Sequence, residues 1–317
     1  MRRLKMIFNP VADRGHAAQS ADELQEAVEA EVAAARENGQ DIELTWTRTQ
    51  YKGHAVDLAR DAVAEGFEVV TAIGGDGTVH EVVNGLMAAE KERRPALGVI
   101  PFGSGNDFAH NVGLPSDPRE AARCLFGDTT RTVDVGTIKD GSGRCEYWTN
   151  TVGIGFGGAV NMAARKYTRI RGFFVYLAAV FETIASAPFS LKAKIQVDGN
   201  GPVEHEVAMI AFCNGPREGG GFFVGPGAEM DDGLITYVLM RNMSRVNMLR
   251  FLPIVMTGNH LKYPRYFQRS EARHIVLETD RTMAIHADGE VFGSWEAGIR
   301  QLELGIVPSA VRVLTNC

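Results

Sequence analysis

Asp76 stands inside a glycine turn, Gly74-Gly75-Asp76-Gly77-Thr78, and Asp107 follows a second one, Gly103-Ser104-Gly105-Asn106. Each turn comes directly after a short β-branched run, Val69 to Ile73 and Ala96 to Ile100, and the first leads into an apolar helical pattern through Val79, Val82, Val83 and Leu86. Glycines let the backbone turn and keep Cβ atoms away from a ligand, while converging N–H groups and the helix dipole make an anion site. A carboxylate in such a place is repelled by a polyphosphate unless a divalent cation or a proton-transfer duty accompanies it, so the turn predicts a nucleotide with Mg²⁺. A dinucleotide fingerprint starting at Gly75 would need glycine where His80 stands. No Gly-Lys-Ser/Thr follows to make a Walker loop, and Asn84 occupies the place of the second histidine of a zincin helix. His80, His110 and His286 have no ligand-spaced partner and read as structural or nucleotide-adjacent.

The elements that position these turns follow from periodicity. Leu4, Met6 and Phe8 alternate as a first strand; Leu24, Val28, Val32 and Ala35 make a helical stripe ending before Gly39, with Ser20 and Glu23 at capping-box spacing. Ile42, Leu44 and Trp46 alternate again, and Val56 to Val63 make a helix closed by Gly66. This β-α repetition predicts an α/β fold, with an N-terminal doubly wound sheet to about residue 130. Ligands of such sheets sit beyond the carboxyl ends of the strands, so the two turns are expected to converge on one site. After Asp134, strand-like segments dominate (132–138, 145–152, 191–197, 207–213, 234–240, 274–277, 283–286 and 299–306), with helical insertions at 161–187 and 246–257.

The ordered motifs GGDGTVHEVVNGL and PFGSGNDFA resemble those of the diacylglycerol kinase catalytic family, which includes bacterial lipid kinases and sphingosine kinases and is similar in its first domain to NAD kinases and phosphofructokinases. The resemblance covers essentially the whole chain. It takes in Asn9-Pro10 with Gly15, Thr49 with Gly53-His54-Ala55, Val133-Asp134-Val135-Gly136, Asn214, Gly219-Gly220-Gly221, the stretch from Pro226 to Leu234, Asp288-Gly289-Glu290, and Val307 to Leu314. Gly227 departs from the pattern, since an acidic residue is frequent there.

The resemblance implies an ATP-binding α/β domain over 1–132 plus about 306–317, a β-rich, sandwich-like lipid-binding domain over 133–305, and a site in the cleft between them. It implies nucleotide contacts from Asn9, Thr49, Gly74, Gly75, Asp76, Gly77, Thr78, Val79, His80, Gly103, Ser104 and Asn106. Asp288 falls where the family carries its proton acceptor, and Asp76, Asp107, Asp134 and Glu290 resemble the acidic network that orients it and ATP through Mg²⁺ and water. Read alone, Asp288-Gly289 is a common hairpin turn, Asp107 complements a helix dipole, and Asp134 is a solvated strand end. Glu229, Asp232 and the Leu234 carbonyl suit a second hard cation, against the alternative of an acidic surface turn. The expected activity is phosphoryl transfer from ATP to diacylglycerol or a related lipid alcohol. An NAD kinase-like enzyme and a non-catalytic lipid- or nucleotide-binding protein are the alternatives, and the intact acids argue against the last.

Composition agrees with this reading. The chain has 317 residues, 45% hydrophobic and 23% charged, with a net charge of −6, which argues against nucleic acid as a partner. Cys124, Cys145, Cys213 and Cys317 show no paired spacing and are expected as reduced thiols of a cytoplasmic protein, with Cys213 a small core residue. No signal-peptide pattern follows Met1, and the apolar stretch from Phe173 to Pro188 is interrupted by Glu182 and falls short of the about 20 apolar residues of a span. Membrane contact is therefore expected to be peripheral. Arg165, Lys166, Arg169 and Arg171 before Phe173, Phe174, Tyr176, Leu177, Val180, Phe181 and Ile184 fit an interfacial element equally well as a helix packed on the β domain. A homodimer is left open.

Overall fold

The computed structural model describes residues 1–15, 17, 21–167, 172–186 and 190–315. The expectations placed on Ser20, Arg169, Arg171, Pro188 and Cys317 lie outside them. The chain divides into two compact units, Met1–Val133 with Ser309–Cys317, and Asp134–Pro308.

In the first unit, β1 (Arg2–Phe8), α1 (Ala21–Glu37), β2 (Ile42–Arg48), α2 (His54–Ala64), β3 (Val69–Gly74), α3 (Asp76–Met87), β4 (Ala96–Pro101), α4 (Asp107–Asn111) and α5 (Pro118–Arg123) follow in order. The strands pair in parallel as β2-β1-β3-β4. The end of the last strand, β15, adds beside β4 through Val313 and Leu97. Leu24, Val28, Val32 and Ala35 of α1 are the buried stripe that periodicity predicts, packed with Leu4, Met6 and Phe8. Burial of each large aliphatic side chain contributes about 1.5–3 kcal/mol, which outweighs the weak propensity of a short amphipathic helix. The register sets Phe8 beside Ile73 and Ile73 beside Ile100, so Asn9, the Gly74 turn and the Phe102 turn leave one edge of the sheet together.

The second unit is a mostly antiparallel β structure. β5 (Thr130–Asp140) leads into it, followed by β6 (Cys145–Trp148), β7 (Thr151–Gly155), α6 (Phe156–Ala164), α7 (Phe173–Ser186), β8 (Leu191–Val197), β9 (Val203–Cys213), β10 (Ile235–Arg241), α8 (Arg245–Met256), β11 (Phe267–Ala272), β12 (His274–Thr279), β13 (Ile285–Ala287), β14 (Glu290–Gly293) and β15 (Gln301–Leu314). The long β9 pairs β8 through its first half and β7 through its second, and β10 runs along its other edge. β13 lies between β7 and β14.

Three expectations are corrected here. The single strand read over 145–152 is broken after Trp148, and the helical insertion read over 161–187 is two helices, the first beginning already at Phe156. Cys124 takes part in a disulfide, whereas Cys145 and Cys213 are free. Sequence spacing carries no information about which cysteines the fold brings together. Cys213 is fully buried, and that burial pushes its thiol well above the usual range.

Candidate active site

The two glycine turns of the first unit meet backbone to backbone. A Cβ on Gly103 would overlap the Gly75 Cα, and a Cβ on Gly75 would lie 3.0 Å from the Gly103 Cα. Glycine is required at both for steric reasons, independent of any ligand. Asn106 holds the second turn, its amide donating to the Gly103 carbonyl at 2.9 Å and accepting the Gly103 N–H at 2.8 Å, in a left-handed conformation with φ of 51°. Asp76, the first residue of α3, accepts the Phe108 N–H of α4 at 2.9 Å and so ties one turn to the other. Asp107, directly before Phe108, is buried.

The remaining predicted nucleotide residues surround this junction in the same unit. Asn9 donates its amide to the Thr78 hydroxyl at 2.9 Å, fixing the first turn of α3 to the end of β1. A Cβ on Gly74 would overlap that hydroxyl. Ser104 donates to Asp13 at 2.7 Å, and the Thr49 N–H donates to the Phe8 carbonyl at 2.9 Å. Val79 and His80 are buried on α3. Sequence reading missed Glu81, whose carboxylate accepts the Gly53 and Ala55 N–H groups at 2.8 and 3.2 Å and caps α2. Its only signal was position, a helix acid one turn past the glycine motif.

In the second unit Asp288 is buried and left-handed, with φ of 50°. One carboxylate oxygen accepts the Thr149 N–H at 2.7 Å and the Thr149 hydroxyl at 3.1 Å; the other accepts the N–H groups of Asn150 at 2.7 Å and Thr151 at 3.1 Å. The strand break after Trp148 is what turns these amides toward one carboxylate. Four hydrogen bonds thus hold the Asp288 carboxylate in its turn. Gly289, at φ of 80°, follows, and its carbonyl accepts the Asn161 amide at 2.7 Å. Glu290 is half-buried and pairs with Arg165 at 3.0 Å. His286 is buried in space that Gly153 leaves open, and its ring lies 3.7 Å from Glu218, which also accepts the Thr151 hydroxyl at 2.7 Å.

Asn214 bridges two of these features, donating to the carbonyls of Asp134 at 2.9 Å and Thr149 at 2.8 Å. Asp134 is buried rather than solvated; its carboxylate accepts the Gly233 N–H at 2.6 Å, linking it to the acidic turn. The side-chain oxygens of Asn161 and Asn214 are buried without a hydrogen-bond partner among the described residues, which leaves an acceptor beside the Gly289 turn for a polar ligand or water.

Glu229 and Asp232 are exposed, and Asp232 accepts the Leu234 N–H at 2.9 Å. Partial burial, with the like charges of Asp134, Glu271 and Glu229, raises the Asp232 carboxyl above its ordinary value against that hydrogen bond. A hard cation at this turn would be held by Glu229, Asp232 and the Leu234 carbonyl, with water completing the shell. Among the described residues no group of three or more His, Cys, Asp or Glu side chains is arranged to hold a metal. The departure at Gly227 has a local counterpart: the Arg269 guanidinium donates to the Gly227 carbonyl at 2.9 Å and pairs with Glu271 at 2.6 Å.

Residues 3–138 match the model of the diacylglycerol kinase catalytic domain, and residues 150–315 match that of the YegS C-terminal NAD kinase beta sandwich-like domain. A protein of Chromohalobacter salexigens described as "Probable lipid kinase YegS-like" is 34% identical over 78% of this chain and 76% of its own length. This chain belongs to the diacylglycerol kinase catalytic-domain family. Among family members, a diacylglycerol kinase of Staphylococcus aureus is 29% identical over 99% of the chain and 94% of its own length. The family's fold is shared with a crystal structure of a diacylglycerol kinase from Bacillus anthracis, which superposes with a TM-score of 0.72 at 21% identity over 99% of this chain and 97% of that one. The same fold extends to an NAD kinase of Archaeoglobus fulgidus in complex with ATP, with a TM-score of 0.50 at 11% identity over 99% and 94% of the two chains. Membership of a kinase family implies ATP as the phosphoryl donor.

Proposed function

We propose that the protein transfers the γ-phosphoryl group of ATP to the hydroxyl of diacylglycerol or a related lipid alcohol. The observation that carries this reading is the rigid Asp288-Gly289-Glu290 turn, whose anchoring by four hydrogen bonds holds a carboxylate in place on a unit matching a lipid-kinase family's second domain. Phosphoryl transfer asks the protein mainly for positioning and charge, with a base to accept the hydroxyl proton. The acceptor oxygen bonds to the γ-phosphorus, the bond from that phosphorus to the β,γ-bridging oxygen breaks, and ADP leaves with the electron pair.

The fused glycine turns offer main-chain donors for the phosphates, with Asn9, Thr49, Thr78, Ser104 and Asn106 bracing the loops around them. Mg²⁺, when bound, supplies positive charge to the phosphate oxygens, and Asp76 and Asp107 are the acids of the first unit that would hold it directly or through water. Asp288 fixes the acceptor-side turn and Glu290, the carboxylate with solvent access, takes the proton, with Arg165 as its ion-pair partner. Asp134 supports the turn that carries the second cation. No nucleic acid enters this reading.

Incubating the purified chain with labelled ATP and a panel containing diacylglycerol, monoacylglycerol, sphingosine, phosphatidylglycerol and NAD tests it. Labelled phospholipid is the expected product. Phosphorylation of NAD alone would support the small-molecule kinase instead, and no transfer to any acceptor would leave a binding protein.

A further inference from the structure

Helix α7 is apolar on the side that packs and also on the side that does not. Val175, Ala179, Val180 and Ile184 are buried, while Phe174 is 66% exposed and Phe181 48% exposed, two turns apart on one outward stripe. The only charged residue of the helix, Glu182, is engaged by Lys166 at 2.6 Å and by the Tyr167 hydroxyl at 2.8 Å. The outward stripe of α8, which packs into the same hydrophobic cluster as α7, carries Val246 at 74% exposure and Leu249 at 43%, flanked by Arg245 and Arg250. There is no acidic residue in α8, and neither arginine forms an ion pair among the described residues.

Solvent-facing helix stripes in globular proteins are normally polar, and large exposed apolar patches rimmed by charge mark interaction sites. Two features select the partner. The chain as a whole carries a net charge of −6, so the acid-free stripe of α8, with two arginines outside any ion pair among the described residues, is a local reversal of sign that complements an anionic surface. Helix α7 is also one layer deep. Its inward Tyr176 places its hydroxyl 3.6 Å from where a Cβ on Gly289 would stand, directly beside the Asp288-Gly289-Glu290 turn. A surface meeting Phe174 and Phe181 is thus a helix thickness away from the acceptor-side carboxylate.

We infer that the outward stripes of α7 and α8 are the surface by which this protein rests on a lipid bilayer bearing anionic headgroups. Phe174, Phe181, Val246 and Leu249 enter the acyl boundary, and Arg245 and Arg250 meet headgroup phosphates. The inference rests on the lipid-kinase reading for the reason a bilayer is near, but its test is separate from catalysis.

The full chain, without ATP, is sedimented with vesicles of phosphatidylcholine alone and of phosphatidylcholine with phosphatidylglycerol. The parent protein binds the anionic vesicles, and added salt weakens that binding. The F174S/F181S double variant loses about tenfold or more of its partitioning, on the scale of apolar transfer. The R245E/R250E variant loses binding to anionic vesicles by about tenfold or more, on the scale of one surface arginine each. All four positions are exposed, so melting temperatures stay at the parent value, which separates lost docking from lost folding. Failure of the parent to bind either vesicle, or parental binding by both double variants, overturns the proposal. So does light scattering that shows a parent dimer which F174S/F181S converts to a monomer, because the stripe then covers a second copy of the chain. A protein that docks through these residues yet phosphorylates no lipid overturns the kinase reading and leaves the docking surface standing.

Discussion

Thr149 binds Asp288 twice, donating both its N–H, at 2.7 Å, and its hydroxyl, at 3.1 Å, to the same carboxylate oxygen. A hydrogen-bonded buried carboxylate is costly to alter, since truncating one partner leaves the others unsatisfied. Asp288→Asn sets an amide N–H₂ against one pair of donors, so it lowers the melting temperature together with turnover. Glu290→Gln leaves the melting temperature near parental and lowers kcat by about 10² or more with ATP affinity retained, the scale of general-base loss. Thermal melts beside steady-state kinetics separate the two. Parental turnover in Glu290→Gln would return the base to Asp288.

Gly103→Ala drives a methyl group into the Gly75 backbone. Overpacking of this kind costs about 1–3 kcal/mol. Because it spreads the junction of the two turns, ATP affinity measured by calorimetry falls along with stability. Gly85→Ala makes a useful contrast, since its methyl group would strike the Val56 carbonyl of α2 instead. It destabilises the unit while the ATP affinity of the folded fraction holds.

Asp232 has its carboxyl raised by burial and neighbouring acids. A group with a raised folded-state pKa adds stability when protonated and loses it as pH rises through that value, so at neutral pH the ionised Asp232 weakens the fold. Asp232→Asn therefore raises the melting temperature in EDTA. In Mg²⁺ the order reverses if the turn holds a cation: the parent gains stability in proportion to binding and the variant does not. An equal Mg²⁺-dependent shift in both proteins would remove the metal from this turn.

His260 is buried against the Phe267 ring at 4.8 Å, and burial lowers its pKa to about 4, partly offset by a hydrogen bond to the Val224 backbone. Here the sign is the opposite of a histidine that gains a partner. The unfolded chain binds the proton near pH 6.5, so stability is full above that and is lost as pH falls toward 4. His260→Gln flattens the melting-temperature profile between pH 6.5 and 5, where few carboxylates titrate. A parental slope in the variant would show that other groups set the acid lability.

Much of this was legible because burial is written in periodicity. The stripe from Leu24 to Ala35 and the alternation of Leu4, Met6 and Phe8 each gave an element and its inward face. The glycine turns were legible as turns, but their contact with one another is a fact of sheet register that no local reading supplies. The donors to Asp288 were invisible because a main-chain N–H is the same in every residue and only the break after Trp148 aims it. Strand β11 escaped notice because Arg269, Ser270 and Glu271 at its centre are polar, and of the buried face of α2, Ala55, Ala59 and Ala62, the apolar pattern from Val56 to Val63 takes in only Ala59 and Ala62. Arg269 beside the acidic turn could not be foreseen from Gly227 across 42 residues of chain.

The return of the last strand to the first unit bears on how the molecule is made. Ala310, Val311, Val313 and Leu314 are buried, Arg94 donates to the Ala310 carbonyl at 2.9 Å, and Val313 lies beside Leu97 of β4. The residues that complete the first unit's sheet therefore follow the whole second unit along the chain. Until they emerge, β4 is an open edge, and the glycine turns it supports belong to an unfinished sheet. Vectorial synthesis thus orders maturation in reverse of the sequence, because the second unit is fully translated before the first can close.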